Sequence, residues 1–381
     1  MSDVYVVGID MIKFGRYPDR NVRQLGAEAA RLALADAGLS IQDMQALYSG
    51  NLMQAGAMVG QGILQEIGQT GIPVTNCANA CATGATAFRE AWVAIKAGLY
   101  DLVLVVGSEQ LGKLGLLGGG GGGKGIPKEG LLGSQTMPAV FAEAGQEHTR
   151  KYGTTFEQFA KVSVKNHQHS VKNAKSMYQK ETPLDVVMGA EMIAYPNTKL
   201  MCSVNVDGAA AAVLASERKA KALGLGRAVR VAASVLTSDP FTDRDLVMPD
   251  VNTCTRTAAA QAYEMAGIGP EDLGLVELHD CFATAELLHY ENLGLCSDGE
   301  AGKLIDEGIT WHGGKTPVNV SGGLLSKGHP LGATGVANIY EVATHLRGEA
   351  GDRQVEGAKV GLTHVIGLGM ACAIHVLEKV S

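Results

Sequence analysis

A chain of 381 residues that is 46% hydrophobic and 19% charged carries enough apolar side chains for several cores, which excludes a mainly disordered state. The net charge of −7 excludes a general nucleic-acid binder, because grip on a phosphate backbone comes from clustered Lys and Arg. Apolar runs such as 102–106 fall far short of the roughly 20 residues of a membrane helix, so membrane insertion is not expected. Seven cysteines, an odd number with no Cys-x-x-Cys pair, fit reduced thiols rather than a disulfide framework, and no metal site is read from them. With no basic lead into an apolar start, and with Lys379-Val380-Ser381 in place of a peroxisomal Ser-Lys-Leu, a cytoplasmic location is expected.

In chain order, a strand is predicted at 4–8, and a helix closes at Ala37-Gly38 before an apolar strand near Leu47. A strand ending near Thr75 leads into Cys81 and a helix over 82–97, with Gly98 as its left-handed stop. Between 111 and 205 lies an insertion. Its run Gly118–Gly123 followed by Lys124 superficially resembles a phosphate-binding loop, but Gly125 stands where Ser or Thr should hold magnesium, so a loop is predicted. From 146 to 200 eight basic residues face five acidic ones, a segment suited either to a small anion or to a solvated helical face. Strands at 209–215, 228–235 and 371–377 complete the pattern.

The pattern repeats. Ala33, Ala37, Gly38, Asp43, Met44 and Leu47 match Ala262, Ala266, Gly267, Asp272, Leu273 and Val276, each 229 residues on. Ala82-Thr83-Gly84 and Glu90 match Ala333-Thr334-Gly335 and Glu341 at an interval of 251. Alternating strands and helices in two copies predict α/β layers with buried sheets. The division expected is a first half over 1–115 completed by 201–222, an inserted loop domain over 116–200, and a second half over 223–381.

Three places carry chemistry. Cys81 stands at a helix N-terminus among small residues, where unpaired N–H groups and the helix dipole favour a thiolate; taken alone, a buried structural cysteine is the plainer reading. His329, in Lys327-Gly328-His329-Pro330, occupies the place in the second half that faces the Cys81 loop if the duplication is a two-fold, where it can exchange a proton with the thiol. In Glu277-Leu278-His279-Asp280-Cys281, a strand delivers ionisable groups at its carboxyl end, and His279 and Cys281, two apart, point the same way. Cys77 reads as packed under the loop, Cys202, Cys254, Cys296 and Cys372 as core or surface thiols, and His167 and His169 as solvated helix residues. His364 is a candidate lining residue.

Asn79-Ala80-Cys81-Ala82-Thr83-Gly84, His279-Asp280-Cys281-Phe282 and Gly328-His329-Pro330, in this order, resemble the site motifs of the thiolase superfamily, and the sterol carrier protein type within it. The likeness runs over nearly the whole chain and implies a duplicated, five-layered α-β-α-β-α fold with an inserted loop domain. It implies acyl transfer between thioesters through an acyl-Cys81 intermediate, with coenzyme A as substrate and no permanently bound cofactor. His329 would activate Cys81 and bind the thioester oxygen. His279 would stand where conventional thiolases place an Asn, and Cys281 would be the acid or base at the α-carbon, because Val365 replaces the Cys that usually has that task. The N–H groups of Cys81 and Gly367 would form an oxyanion hole. Such proteins imply a homodimer or tetramer, here expected with 101–107 near the two-fold. No sterol carrier domain follows Ser381, so lipid transfer is not implied. Two other readings stand beside this one: a ketoacyl synthase-like condensing enzyme, which needs no second thiol, and a catalytically silent subunit that binds acyl-CoA or depends on a partner.

Overall fold

The computed structural model describes residues 3–112, 137–240 and 249–380, and the side chains of 249–253 stand outside that description. The Gly-rich run 118–124 lies outside the described residues. The first half contains β1 (Val4–Met11), α1 (Val22–Asp36), β2 (Ala46–Gly50), α2 (Val59–Ile67), β3 (Val74–Cys77), α3 (Thr83–Lys96) and β4 (Leu102–Gln110). Then come α4 (Met137–Tyr152), α5 (Phe156–Ser170), α6 (Leu184–Met188), β5 (Met192–Ala194), β6 (Asn197–Thr198), β7 (Asp207–Ser216) and α7 (Glu217–Leu223). The second half contains β8 (Val229–Ser238), α8 (Pro249–Ala266), β9 (Leu275–Glu277), α9 (Ala283–Asn292), α10 (Ala301–Asp306), α11 (Gly323–Ser326), α12 (Leu331–Arg347), β10 (Val360–Gly367) and β11 (Ala371–Lys379).

The strand order β3-β2-β4-β7-β1-β8-β11-β10-β9 reads the same outward from the β1–β8 seam, each strand of one half answering its counterpart in the other. Even the missing partner of β3 has a trace, a parallel bridge between Val276 and Val318. At the seam only Tyr5–Arg230 and Val6–Val229 pair. Helices α3 and α12 pack on each other and on strands of both halves, while α1 with α2, and α8, cover the outer faces. The chain is therefore five-layered, as expected. Long runs of Val, Leu and Ala in β4 and β7 are apolar on every position because both faces of the sheet are covered.

At the centre, α3 and α12 meet backbone to backbone. A Cβ on Gly84 would come 2.5 Å from Gly332 O, and one on Gly335 would overlap the Ala85 backbone. Glycine is required here by lack of space rather than by torsion angle.

Two expectations are corrected. Strand β4 is flanked by β2 and β7, so 101–107 offer no free edge; the open edge is β3, with Thr75 and Asn76 exposed. His167 and His169 are buried, not solvated: His169 Nδ1 bonds Asn319 O (3.0 Å) and its Nε2 accepts the His312 N–H (2.9 Å). Of the eight basic residues over 146–200, five meet carboxylates. Lys165 is wholly buried on Glu286 (2.9 Å), Lys161 meets Asp306 and Glu157, Lys175 meets Asp10, and Arg150 and Lys199 also pair with carboxylates. Lys165 and Asn166 together tie α5 to the second half, since Asn166 Nδ2 donates to both Asp280 and Glu286 at 2.8 Å.

Gly335→Ala is expected to lower the denaturant midpoint by an overpacking cost of about 1–3 kcal/mol, whereas Gly226→Ala, which has open space around it, should stay within about 0.5 kcal/mol. Glu341 supplies a pH test. Burial opposes its ionisation, but Arg353 (2.9 Å), Lys327 and His345 outweigh that and hold its carboxyl at about 2. An unfolded Glu titrates near about 4.3, so this stabilisation is present above that pH and is lost as pH falls towards 2. Denaturant midpoints measured from pH 5 to pH 2 should fall less steeply in Glu341→Gln than in the parent.

Candidate active site

Strand β3 ends at Cys77, and the chain turns sharply through Ala80, whose φ of +46° is left-handed, before α3 begins. A non-glycine residue in that region costs on the order of 1–3 kcal/mol and needs support. Thr83 gives it: its Oγ1 accepts the Asn79 N–H (2.8 Å) and donates to Ala80 O (2.6 Å). Cys81 is thus raised at the helix end, partly buried.

Burial pushes the Cys81 thiol up to about 12, against hydrogen bonds from its own N–H and from Leu368 N–H, while Glu109 adds a negative charge nearby. Burial thus opposes the thiolate that the helix terminus favours. A base is required.

His329 has the geometry of that base. The Thr334 hydroxyl donates to Pro330 O (3.1 Å), so at the 2.8 Å contact between His329 Nδ1 and Thr334 Oγ1 the ring must donate. That fixes the tautomer with a lone pair on Nε2, which is buried without a partner among the described residues. Burial lowers the imidazole to about 3, so it rests neutral and able to accept a proton. Thr334 does in the second half what Thr83 does in the first: it pins the loop that precedes a central helix.

His279 and Cys281 both line the cavity although β9 has ended at Glu277, while Asp280 between them turns away. Asp280 accepts the N–H groups of Leu324 (2.8 Å) and Leu325 (3.3 Å) at the start of α11, the turn that leads to His329. Burial, with Glu286 close by, raises the Asp280 carboxyl well above the usual range. It is a bracket between two motifs rather than a group facing substrate. Segment 202–206 threads between the same loops: Ser203 N–H donates to Cys281 O (2.8 Å) and His329 N–H to Val204 O (2.8 Å).

The rings of His279 and His329 stand edge to face at 4.9 Å, and burial together with the neighbouring His329, His364 and His289 holds His279 well below its ordinary value. Burial, the nearby Cys81 and Asp280 hold the Cys281 thiol well above its ordinary value. The four sequence-predicted groups, Cys81, His279, Cys281 and His329, converge on one cavity of about 520 Å³. Its other walls are mostly apolar, among them Met53, Leu111, Phe141, Phe282 and Ile366, with Ser203 and Asn205 as polar points.

Gly367 packs against the Cys81 loop, where a Cβ would come 2.8 Å from Asn79 O; the N–H facing the sulfur is that of Leu368, itself at φ +53°. Val365 is buried with Ala82, Ala85 and Ala373. His364 does not line the cavity as expected: it lies behind, with Nδ1 accepting the His279 N–H (3.4 Å) and Nε2 at 3.2 Å from Thr255 Oγ1. Sequence reasoning missed Cys202, which lines the cavity, and the pinning role of Thr334, although the repeated Ala-Thr-Gly marked it.

Residues 4–195 match the thiolase N-terminal domain and 241–379 the thiolase C-terminal domain-like family. The chain is 42% identical to sterol carrier protein 2 of Bos taurus, over 98% of its own length and 72% of that protein's. It is 38% identical to acetyl-CoA acetyltransferase of Methanothermobacter thermautotrophicus over the full length of both. The solved structure titled "Ltp2-ChsH2(DUF35) aldolase" shares the fold with a TM-score of 0.85 at 24% identity, covering 99% of this chain and 98% of that one. A duplicated fold whose two halves each match their own domain, together with a relative covered almost end to end, means that the chain belongs to the thiolase family, in its sterol carrier protein type, and is an acyltransferase.

Proposed function

We propose that the enzyme cleaves 3-ketoacyl-CoA with coenzyme A, and runs the reverse condensation, through an acyl thioester on Cys81. The observation that carries this reading is the convergence of Cys81, the free lone pair of His329, His279 and Cys281 on one apolar cavity. In thiolysis His329 Nε2 takes the Cys81 proton, and the sulfur attacks the keto carbon. The bond between the α-carbon and that carbon breaks, and its electron pair goes to the α-carbon as an enolate. Cys281, held protonated by burial, supplies the proton that makes acetyl-CoA. Coenzyme A then gives its proton to the Cys281 thiolate and attacks the acyl-Cys81 thioester, and the Cys81 sulfur leaves and regains the proton held on His329.

The charges that appear on the oxygens need donors about 3 Å away, each worth a few kcal/mol in a dry site. His279 and His329 are assigned to the thioester oxygen of the enolate, and the N–H groups of Cys81 and Gly367, with that of Leu368, to the oxygen of the acyl-Cys81 adduct. The division at 1–115, 116–200 and 223–381, with 201–222 completing the first half, frames this reading: the first half contributes one motif-bearing loop and the second half two, and the insert supplies Met137, Phe141 and Ile193 to the wall. A homodimer paired at the β3 edge is the expected assembly.

Mass spectrometry after incubation with acetoacetyl-CoA should show an acetyl adduct on Cys81 that Cys81→Ser abolishes. Cys281→Ala should retain the adduct yet lose turnover by the about 10²- to 10⁴-fold that a general acid or base contributes. In heavy water it should also fail to exchange the α-protons of acetyl-CoA. No adduct in the parent protein overturns the covalent route; exchange at the parent rate in Cys281→Ala overturns the role of that thiol.

A further inference from the structure

Cys81, His279 and His329 bring one sulfur and two nitrogens within 4.8 Å of one another. Nδ1 of His279 and Nε2 of His329 are buried and have no hydrogen-bond partner among the described residues. Both rings are nearly inaccessible, at 1% and 4% exposure. Three such donors in one small space, two of them on rings that carry an unsatisfied buried nitrogen, are what a metal site looks like before it is filled.

Tetrahedral zinc, with bonds of about 2.3 Å to sulfur and about 2.0–2.1 Å to nitrogen, places its donors roughly 3.3–3.7 Å apart. The present set therefore needs a contraction of roughly 1 Å, within the reach of small side-chain rotations. Its support is already built: Thr334 receives the His329 Nδ1–H and so keeps Nε2 free, the orientation that outer-shell partners impose on ligand histidines. The fourth position opens on the cavity that Cys281 also lines.

We propose that Cys81, His279 and His329 form a binding site for a borderline-soft divalent cation, Zn²⁺ above all, in the substrate-free enzyme, and that the bound ion blocks the nucleophile reversibly. On coordination the Cys81 proton leaves to solvent and the sulfur binds as thiolate. The site is an inhibitory one: the ion occupies the sulfur lone pair and the imidazole lone pair that acyl transfer uses. One thiolate and two imidazoles discriminate against hard ions, so Mg²⁺ has no purchase here.

The test uses chelator-treated full-length protein and Co²⁺ as the probe. One equivalent of Co²⁺ should give a thiolate-to-cobalt charge-transfer band with the strong visible bands of four-coordinate cobalt. Zn²⁺ should remove both, and Mg²⁺ at the same concentration should leave them. Cys81→Ala should lose the charge-transfer band, and His279→Asn should weaken binding by more than the about 10–100-fold that loss of an outer-shell partner costs. Cys77→Ala and Cys296→Ala, which alter thiols outside the cavity, should bind as the parent does. Circular dichroism of each variant establishes that it is folded. Absence of the cobalt bands in the parent, or their persistence in Cys81→Ala, overturns the site. Acetylation of Cys81 in metal-free protein is scored separately, so loss of the metal site and loss of the proposed acyl transfer are distinguishable.

Discussion

The whole arrangement depends on how closely two helices approach. Helices α3 and α12 cross with Gly84, Gly332 and Gly335 in the contact, and Gly50 and Gly107 of the adjoining strands leave room for the Gly332 carbonyl. A β-carbon would overlap a neighbour at Gly84, Gly107, Gly332 and Gly335 and be tight at Gly50, so these positions are fixed by packing in a close-packed interior. Cys81 lies just before α3 and His329 just before α12, so the same contact brings the nucleophile to its base. Fold stability and active-site geometry are here one interaction. The threonines at the two helix starts, Thr83 and Thr334, convert helix position into side-chain position.

The second consequence is dryness. With helices on both sides of each sheet, the loops that meet at the centre are buried, and burial governs every ionisable group they bear. Cys81 and Cys281 are driven toward thiols, His279 and His329 toward neutral imidazoles. A resting site built of neutral groups carries no buried unpaired charge, which would cost several kcal/mol. Charge then arises as a pair, thiolate with imidazolium, and oriented donors act on the oxygens in a medium of low effective dielectric. Glu109 shows how a carboxylate is tolerated at this depth: burial raises its carboxyl, and N–H groups of Leu52, Met53, Gly332 and Gln110 counter that. Its bond to Gly332 also joins the Asn51 loop to the start of α12.

Much of this was legible in the sequence, for a reason that also marks where reading stops. The duplication, the helix start at Cys81, the stop at Gly98 and the three motifs are local patterns, and the folded chain keeps them. What was not legible depends on partners far away in sequence. His167 and His169 look like solvated residues on a polar helix, yet the bonds that bury His169 come from Asn319 and His312, about 150 residues on. Lys165 reads as a surface cation until Glu286 is opposite it. The family resemblance puts 101–107 near a subunit two-fold, but the unbroken apolar run 102–106 is the mark of a strand covered on both faces, and the strand order sets it inside the sheet. Backbone donors have no side-chain signature at all, so the Leu368 N–H beside the sulfur could not be picked out by residue type.

Duplication gives two equivalent scaffolds, but a site on the pseudo-two-fold cannot be furnished twice. At the interval of 251 residues, Cys81 corresponds to Gly332 and His329 to Ala78; at 229, His279 corresponds to Gly50. In each case one half bears the reactive side chain and the other half bears glycine or alanine. Packing explains the choice. A Cβ on Gly50 would come 3.2 Å from the Gly84 Cα and 3.3 Å from the Gly332 carbonyl, leaving no volume for a second imidazole. The position between His279 and Cys281 is treated differently: Asp280 corresponds to Asn51, and both are buried polar residues that clamp neighbouring loops, Asn51 through Ser108 O (2.8 Å) and Glu109 (2.9 Å). Structural roles are thus retained on both sides of the axis, while reactive groups are retained on one. Space sets that asymmetry at these three positions: the counterparts of Cys81, His329 and His279 are Gly332, Ala78 and Gly50, so that the halves can close around one nucleophile and one base, while Cys281 answers to Leu52, a side chain without chemistry.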